Sequence, residues 1–276
     1  MNQLLTQQTW RFIDQSISAK NRSPLESFAM DDTLCHLVGQ QMTSSTIRTW
    51  VHDHTVVLGI QDHRLPFVQE GIEYLKSGGY DSIVRNSGGL AVVLDEGVLN
   101  VSIVLSEKQN AININSGYDV MVDFIKLLFP SVANQIEAYE IVGSYCPGTY
   151  DLSIGGKKFA GISQRRLRDG VAVQIYLCIE GSGSERAQLI KNFYDSSLKG
   201  EETKFSYPNI QPEVMASLSE LLNEKITVQE TVLNLQTLLQ NLSSNFHPIQ
   251  LNEEETELYT FYLKRVLERN EKMLAK

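Results

Sequence analysis

The sequence predicts an α+β fold: a mainly antiparallel sheet flanked by helices, with a helical C-terminal region. Three observations carry that reading. Residues Val98 to Leu105 and Val171 to Ile179 alternate in the manner of strands half covered by a core. Tyr150 to Ile154 and Lys157 to Gln164 flank Gly155-Gly156, the kind of pair a tight hairpin turn requires. Beyond Gly200 no glycine follows, and the chain turns to amphipathic helical patterns. The expected division is residues 1–200 as a catalytic-type domain and 201–276 as a helical region packed on it.

The elements follow in order. A short lead-in helix is expected around Trp10 to Ile17. Ser23-Pro24-Leu25-Glu26 reads as a capping box with proline at the first helical position. The helix it starts runs to about Gln41, with Leu25, Phe28, Ala29, Thr33, Leu34 and Leu37 on its inner face, and Cys35 reads as a small buried hydrophobe. Thr46 to Val51 and Thr55 to Ile60 are strands separated by His52-Asp53-His54. The His-x-His spacing occurs in metal sites, but no further ligand cluster accompanies it, so a solvated turn and no metal are expected. A helix after Pro66 stops at Gly78-Gly79. Two strands flank Gly88-Gly89. Gly117 to Phe129 is a helix ended by Pro130, and Ile136 to Val142 a strand leading to Cys146. Arg165-Arg166-Leu-Arg168-Asp169-Gly170 forms a turn, and Ser184 to Leu198 a helix. Pro208 and Pro212 mark a linker before helices at about 211–222, 226–242 and 253–274.

Composition narrows the function. The 276 residues are 42% hydrophobic, ample for a large core. Net charge is −9, of which residues 201–276 supply −5 from 12 acidic and 7 basic side chains. A nucleic-acid binder carries the opposite balance. Three cysteines without metal-type spacing point to a reducing compartment, and Cys178 lies in an apolar strand, where packing is its expected role. The first ten residues have neither a basic start nor a long apolar run, so no signal peptide is expected. No stretch reaches the ~20 apolar residues of a membrane helix. The cytoplasm is the expected location.

Cys146 differs from the other two cysteines. It sits in a loop, and the hairpin that follows brings a lysine, Lys157 or Lys158, back toward the cysteine-bearing end. A thiol, an ammonium group and small backbone residues are parts an acyl-transfer site can use. A loop cysteine is also often an ordinary residue, and its neighbours must decide.

Those neighbours resemble a known family. Lys158-Phe-Ala-Gly-Ile-Ser-Gln-Arg is similar to the lysine motif of biotin and lipoate protein ligases, and Gly143-Ser-Tyr-Cys-Pro-Gly-Thr-Tyr-Asp to the cysteine loop of that family's octanoyltransferase branch. Arg85-x-Ser87-Gly88-Gly89-Leu90-Ala91-Val resembles the segment that cradles the acyl chain, with Leu90 where ligases carry glycine or arginine. The resemblance implies a biotin/lipoate ligase catalytic fold and an acyl-thioester on Cys146. It also implies that Lys158 lies beside the sulfur, lowers the thiol pKa and orients the acyl carbonyl. The implied acyl pocket is Arg85, Ser87, Gly88, Gly89, Leu90, Ala91 and Gly161. Octanoylated glycine-cleavage H protein (GcvH) is the implied donor, and lipoyl domains of 2-oxoacid dehydrogenase E2 subunits are the acceptors. No cofactor, nucleic acid or membrane is implied. Arg165, Arg166 and Arg168 read either as a solvated turn or as a docking patch for acidic carrier domains. Alternatives are an octanoyl-acyl-carrier-protein transferase, an ATP-dependent lipoate ligase and a non-catalytic module that binds lipoyl domains.

Overall fold

The computed structural model describes residues 2–274. In chain order the elements are β1 (Thr9–Gln15), α1 (Pro24–Gly39), β2 (Thr46–Trp50), β3 (Thr55–Leu58), α2 (Val68–Ser77), β4 (Asp81–Val84), β5 (Val92–Leu94) and β6 (Val98–Ser106). They continue with α3 (Ile114–Leu128), β7 (Glu137–Ala138), β8 (Leu152–Ile154), β9 (Lys157–Leu167), β10 (Gly170–Cys178), α4 (Gly183–Leu198), α5 (Leu218–Leu222), α6 (Val228–Leu242), β11 (Asn245–Pro248) and α7 (Glu253–Leu274).

Eight strands form one mixed sheet in the order β11-β1-β2-β6-β10-β9-β8-β7; the other three form a small sheet, β4-β3-β5. Antiparallel pairings predominate, and the parallel ones join β1 to β2 and β11, and β3 to β4. The long central pair β6 and β10 is covered on both faces. Val101, Ile103, Val173 and Ile175 face α3 and α6, while Val104 and Ala172 face Met30, Leu34 and Val38 of α1. This is why β10 is buried along its whole length.

α1 begins where the sequence places it. The Ser23 side chain accepts from the Leu25 N–H, and Pro24 occupies the first turn. Its predicted inner-face residues are all buried, and so is Cys35. The helix is buried almost all round because α7 packs across its outer side. Two carboxylates, Asp31 and Asp32, are buried with it; Arg48 and Arg165 neutralise them.

Several expectations change. Trp10 to Ile17 is not a helix. Trp10, Arg11, Phe12 and Ile13 are consecutively buried in β1: Trp10 and Phe12 enter the core on one face, and Ile13 packs with α1 while Arg11 pairs with Glu255 of α7 on the other, so neither face is open to water. The strand expected over Ile136 to Val142 shrinks to Glu137–Ala138, because Tyr139 onward leaves the sheet to form the cysteine loop. The two strands flanking Gly88-Gly89 do not pair with each other; both pair with β3. Arg165 and Arg166 extend β9, and only Arg168 and Asp169, both at positive φ, make the turn. His52 is not solvated. Its imidazole is fully buried 2.9 Å from the Ser27 hydroxyl. No helix among the described residues is long and apolar enough to cross a membrane.

Candidate active site

The site is assembled around the loop between β7 and β8. Asp151 folds that loop on itself: its carboxylate accepts from the Ile141 N–H at 3.3 Å and lies 3.5 Å from the Ser144 hydroxyl. Gly155 and Gly156, both at positive φ, then turn the chain tightly. The turn brings Lys158 back under the loop, fully buried. Its ammonium group pairs with Asp151 at 2.9 Å and donates to the carbonyl oxygens of Tyr145 and Cys146, each at 2.9 Å. Burial pushes the Asp151 carboxyl upward, against the opposing pull of Lys158. Lys157 is exposed.

Cys146 occupies the top of this loop, half-buried, at φ +45°. A non-glycine residue in the left-handed region stores strain that its surroundings must hold. Lys158 does so from below, gripping the carbonyl on one side of the strained residue and that of its own peptide. The lysine therefore meets the cysteine at its backbone oxygen. The atoms that meet the sulfur come from the loop between β4 and β5: the Leu90 N–H at 3.2 Å and Arg85 Nη2 at 3.4 Å. The same guanidinium nitrogen donates to the Leu90 carbonyl at 2.6 Å, bracing that peptide. Gly89, at φ +102°, leaves the room; an added Cβ there would collide with Arg85 Nη2 and sit 3.0 Å from Sγ.

Beneath the thiol lies a cavity of about 240 Å³. Phe28, Trp50, Val57, Val92, Leu94 and Ile175 give it an apolar lining, with Cys146, Arg85, Gly88, Gly89 and Gly161 also on its walls. Gly161 faces the ring of Tyr176, leaving no space for a Cβ. Of the expected pocket residues, three contribute differently. Leu90 offers its backbone N–H, Ala91 donates its own to the Tyr194 hydroxyl at 3.4 Å, and Ser87 is buried. The sequence carries no signal that Phe28, Trp50 and Tyr176 line the pocket; they come from three separate elements, and no local motif links them.

A fully buried ion pair stiffens the cavity floor. Arg48 binds Asp31 at 2.7 Å, and the other Asp31 oxygen accepts from Ser102 at 2.9 Å and Gln174 at 2.5 Å. Ser102 in turn accepts from the Trp50 indole N–H at 3.3 Å, so two wall residues are tied to one carboxylate.

Two members of the arginine cluster are paired with carboxylates. Arg165 pairs with Asp32 at 2.6 Å, and Asp32 also accepts from Asn86, the neighbour of Arg85, at 2.8 Å. Arg166 pairs with Glu107 at 2.6 Å, and Arg168 is exposed at the turn. Two of the three charges are thus neutralised within the chain. Helix α7 closes the outer side: Arg269 donates to the Arg85 carbonyl and Asn270 accepts from the Val84 N–H, both at 2.8 Å. Among the described residues no group of three His, Cys, Asp or Glu could hold a metal ion.

Comparison with known proteins places this arrangement in context. Residues 23–240 match the family described as Lipoyl protein ligase A/B catalytic domain. The chain is 69% identical over 276 residues to the octanoyl-[GcvH]:protein N-octanoyltransferase of Lysinibacillus sphaericus, covering 100% of this chain and 99% of that protein. It is 55% identical to the protein of the same name from Bacillus velezensis, with 99% and 96% covered. It is 49% identical to the lipoyl-[GcvH]:protein N-lipoyltransferase of Listeria monocytogenes, with 99% of each covered. Among solved structures, lipoate-protein ligase A bound with ATP superposes with a TM-score of 0.67 at 16% identity, over 94% of this chain and 95% of that one. The bipartite lipoate protein ligase of Thermoplasma acidophilum gives 0.65 at 17% identity, over 94% and 93%. At such low identity the superpositions show the shared fold.

Proposed function

The chain belongs to the lipoyl protein ligase A/B catalytic-domain family, and on that premise we propose a complete reaction for it. It is an acyltransferase that takes an octanoyl group from a lysine of GcvH, the donor in its relatives' names. The acceptor is a lysine on the lipoyl domain of a 2-oxoacid dehydrogenase E2 subunit. The observation that supports this reading best is the half-buried thiol of Cys146, held at the mouth of an apolar cavity with two donors on its sulfur.

The octanoyl tail fills the cavity, each buried methylene contributing about 0.8 kcal/mol. The Cys146 thiolate attacks the carbonyl carbon of the octanoyl-lysyl amide, and a C–S bond forms. Negative charge moves to the carbonyl oxygen, where nearby backbone N–H groups and the Arg85 guanidinium can meet it. Collapse breaks the C–N bond. The lysyl nitrogen takes up a proton and leaves as an amine. The acceptor lysine, as a neutral amine, then attacks the thioester, loses a proton and displaces the thiolate. One amide is exchanged for another, so nucleotide hydrolysis has no part in the balance. Lys158 serves as the pin that holds Cys146 in its strained conformation and carries the charge balance with Asp151. A free-acid ligase has no step that needs a thiol here.

Intact-mass spectrometry tests the proposal. After incubation with octanoyl-GcvH the wild type should gain one octanoyl mass and Cys146→Ala none. Adding an E2 lipoyl domain should discharge the adduct onto the domain. Loading from octanoyl-acyl-carrier protein alone, or a strict ATP requirement, would reassign the chain to another branch of the family. The Listeria relative's name makes lipoyl-GcvH the natural second donor to try.

A further inference from the structure

Behind the segment that faces the sulfur lies a buried carboxylate with no task in the steps above. Asp62 is fully buried in the turn after β3. One of its oxygens accepts from the Gly59 N–H at 2.7 Å, the other from the Tyr194 hydroxyl of α4 at 2.9 Å. The Tyr194 hydroxyl also accepts from the Ala91 N–H at 3.4 Å. Gly59 itself lies against Gly89, so closely that a Cβ on Gly59 would overlap the Gly89 carbonyl oxygen. Asp62 thus reaches both ends of the tripeptide Gly89-Leu90-Ala91: through Gly59 at one end and through Tyr194 at the other. The middle residue is the one whose N–H points at Cys146 Sγ.

Evolving chains place carboxylates in water far more readily than in a core. A buried one, here pushed up to about 6 by loss of solvation, is retained at a cost. The groups that favour its charged form are the Gly59 and Ala91 N–H groups, the Tyr194 hydroxyl and, farther off, the Arg85 guanidinium, and three of these belong to or brace the segment that faces the sulfur. What the charge does is orient the Tyr194 hydroxyl: the carboxylate accepts its proton, so the oxygen's lone pairs are left to take the Ala91 N–H.

We propose that Asp62 and Tyr194 are positioning residues for the cysteine: they fix the Gly89–Ala91 segment so that the Leu90 N–H donates to the sulfur and, once acylated, to the developing oxyanion. This rests on the thioester reading for its consequence in catalysis, but its primary readout is the chemistry of the thiol.

The test is the rate of Cys146 alkylation by iodoacetamide, followed by intact mass from pH 6 to 10; Cys35 and Cys178 are buried and react slowly. Tyr194→Phe removes one oxygen and keeps the ring. It should slow alkylation about tenfold at pH 7, the equivalent of one pKa unit, and leave it within about twofold of wild type near pH 10, where ordinary thiols are ionised. Asp62→Asn should follow the same pattern. Tyr207→Phe is the control: it deletes a neighbouring hydroxyl, bonded to the Gln61 carbonyl at 2.9 Å, outside the relay. It should lower thermal stability without moving the alkylation curve. If Tyr194→Phe tracks the wild-type curve at every pH, or if Tyr207→Phe displaces it equally, the positioning role is refuted. Octanoyl loading of the wild type is scored separately, so failure of the thioester reading is distinguishable from failure of this one.

Discussion

Lys158→Met deletes the ammonium group and preserves much of the stem. In the wild type that group is fully buried, paired with Asp151 and donating to two carbonyl oxygens. Removing one member of a buried ion pair leaves an uncompensated charge, at about 3–5 kcal/mol. The Asp151 carboxyl is already raised by burial. In the variant it relieves itself by taking up a proton, which keeps the loss near the middle of that range, about 4 kcal/mol at pH 7. For a chain of this size that corresponds to about 10 °C in Tm. A sign follows for pH. A carboxyl whose folded pKa is raised contributes stability at low pH that is lost as pH rises through the folded value, so the gap to wild type should narrow toward pH 5. Differential scanning calorimetry from pH 5 to 8 measures it. Adding Asp151→Asn to Lys158→Met should recover part of the loss, because the orphan charge is gone. Single-turnover loading should fall by about a hundredfold in both, since the strained cysteine loses its anchor and shifts by a fraction of an ångström or more. A Lys158→Met protein that melts with the wild type and loads at its rate would refute the pinning argument.

Further expectations follow from neighbouring contacts. Gly89→Ala places a Cβ at φ +102° against Arg85 and the sulfur; stability should fall by about 1–3 kcal/mol and loading by about a hundredfold, read by calorimetry and stopped-flow. Burial and the nearby Arg48 hold His52 at about 4. A depressed histidine contributes stability above its ordinary pKa and loses it as pH falls through the folded value. His52→Gln should therefore flatten the acid limb between pH 6.5 and 4 by about 3 kcal/mol in chemical denaturation, and parallel curves would refute the assignment. Asp62→Asn should act in the opposite sense over pH 4–6, because the Asp62 carboxyl is raised. Arg269→Ala with Asn270→Ala removes the two bonds from α7 to β4 and its following loop; melting should move by only a few degrees, while loading drops about tenfold.

Much of this molecule could be read from local signals. The Ser23-Pro24 start of α1 and the paired glycines before β9 are short-range devices, and both behave as such. Cys146 and Lys158 lie within one hairpin's reach, so their proximity followed from the turn alone. Which atoms they share did not, because a side chain's target depends on the twist and depth of the sheet below it. β1 was misread since burial on both faces erases the alternation that distinguishes a strand. β11 was invisible: four largely exposed residues ending in proline carry no period at all. The cavity wall and the Asp62–Tyr194 contact, spanning 132 positions, exist only once the chain has closed. A sequence pattern expresses neither.

The closing strand and helix have a consequence for biosynthesis. β1 gains its second neighbour only from β11, and the backbone around Arg85 gains its last two bonds only from α7, 184 and 186 positions downstream. A ribosome that has translated the thiol, its lysine and the whole cavity lining has therefore not yet produced a finished catalyst. Contacts so distant along the chain form late and slowly. The nascent polypeptide thus carries an unbraced cavity wall until α7 emerges, because the bonds at Arg85 and Val84 wait for Arg269 and Asn270.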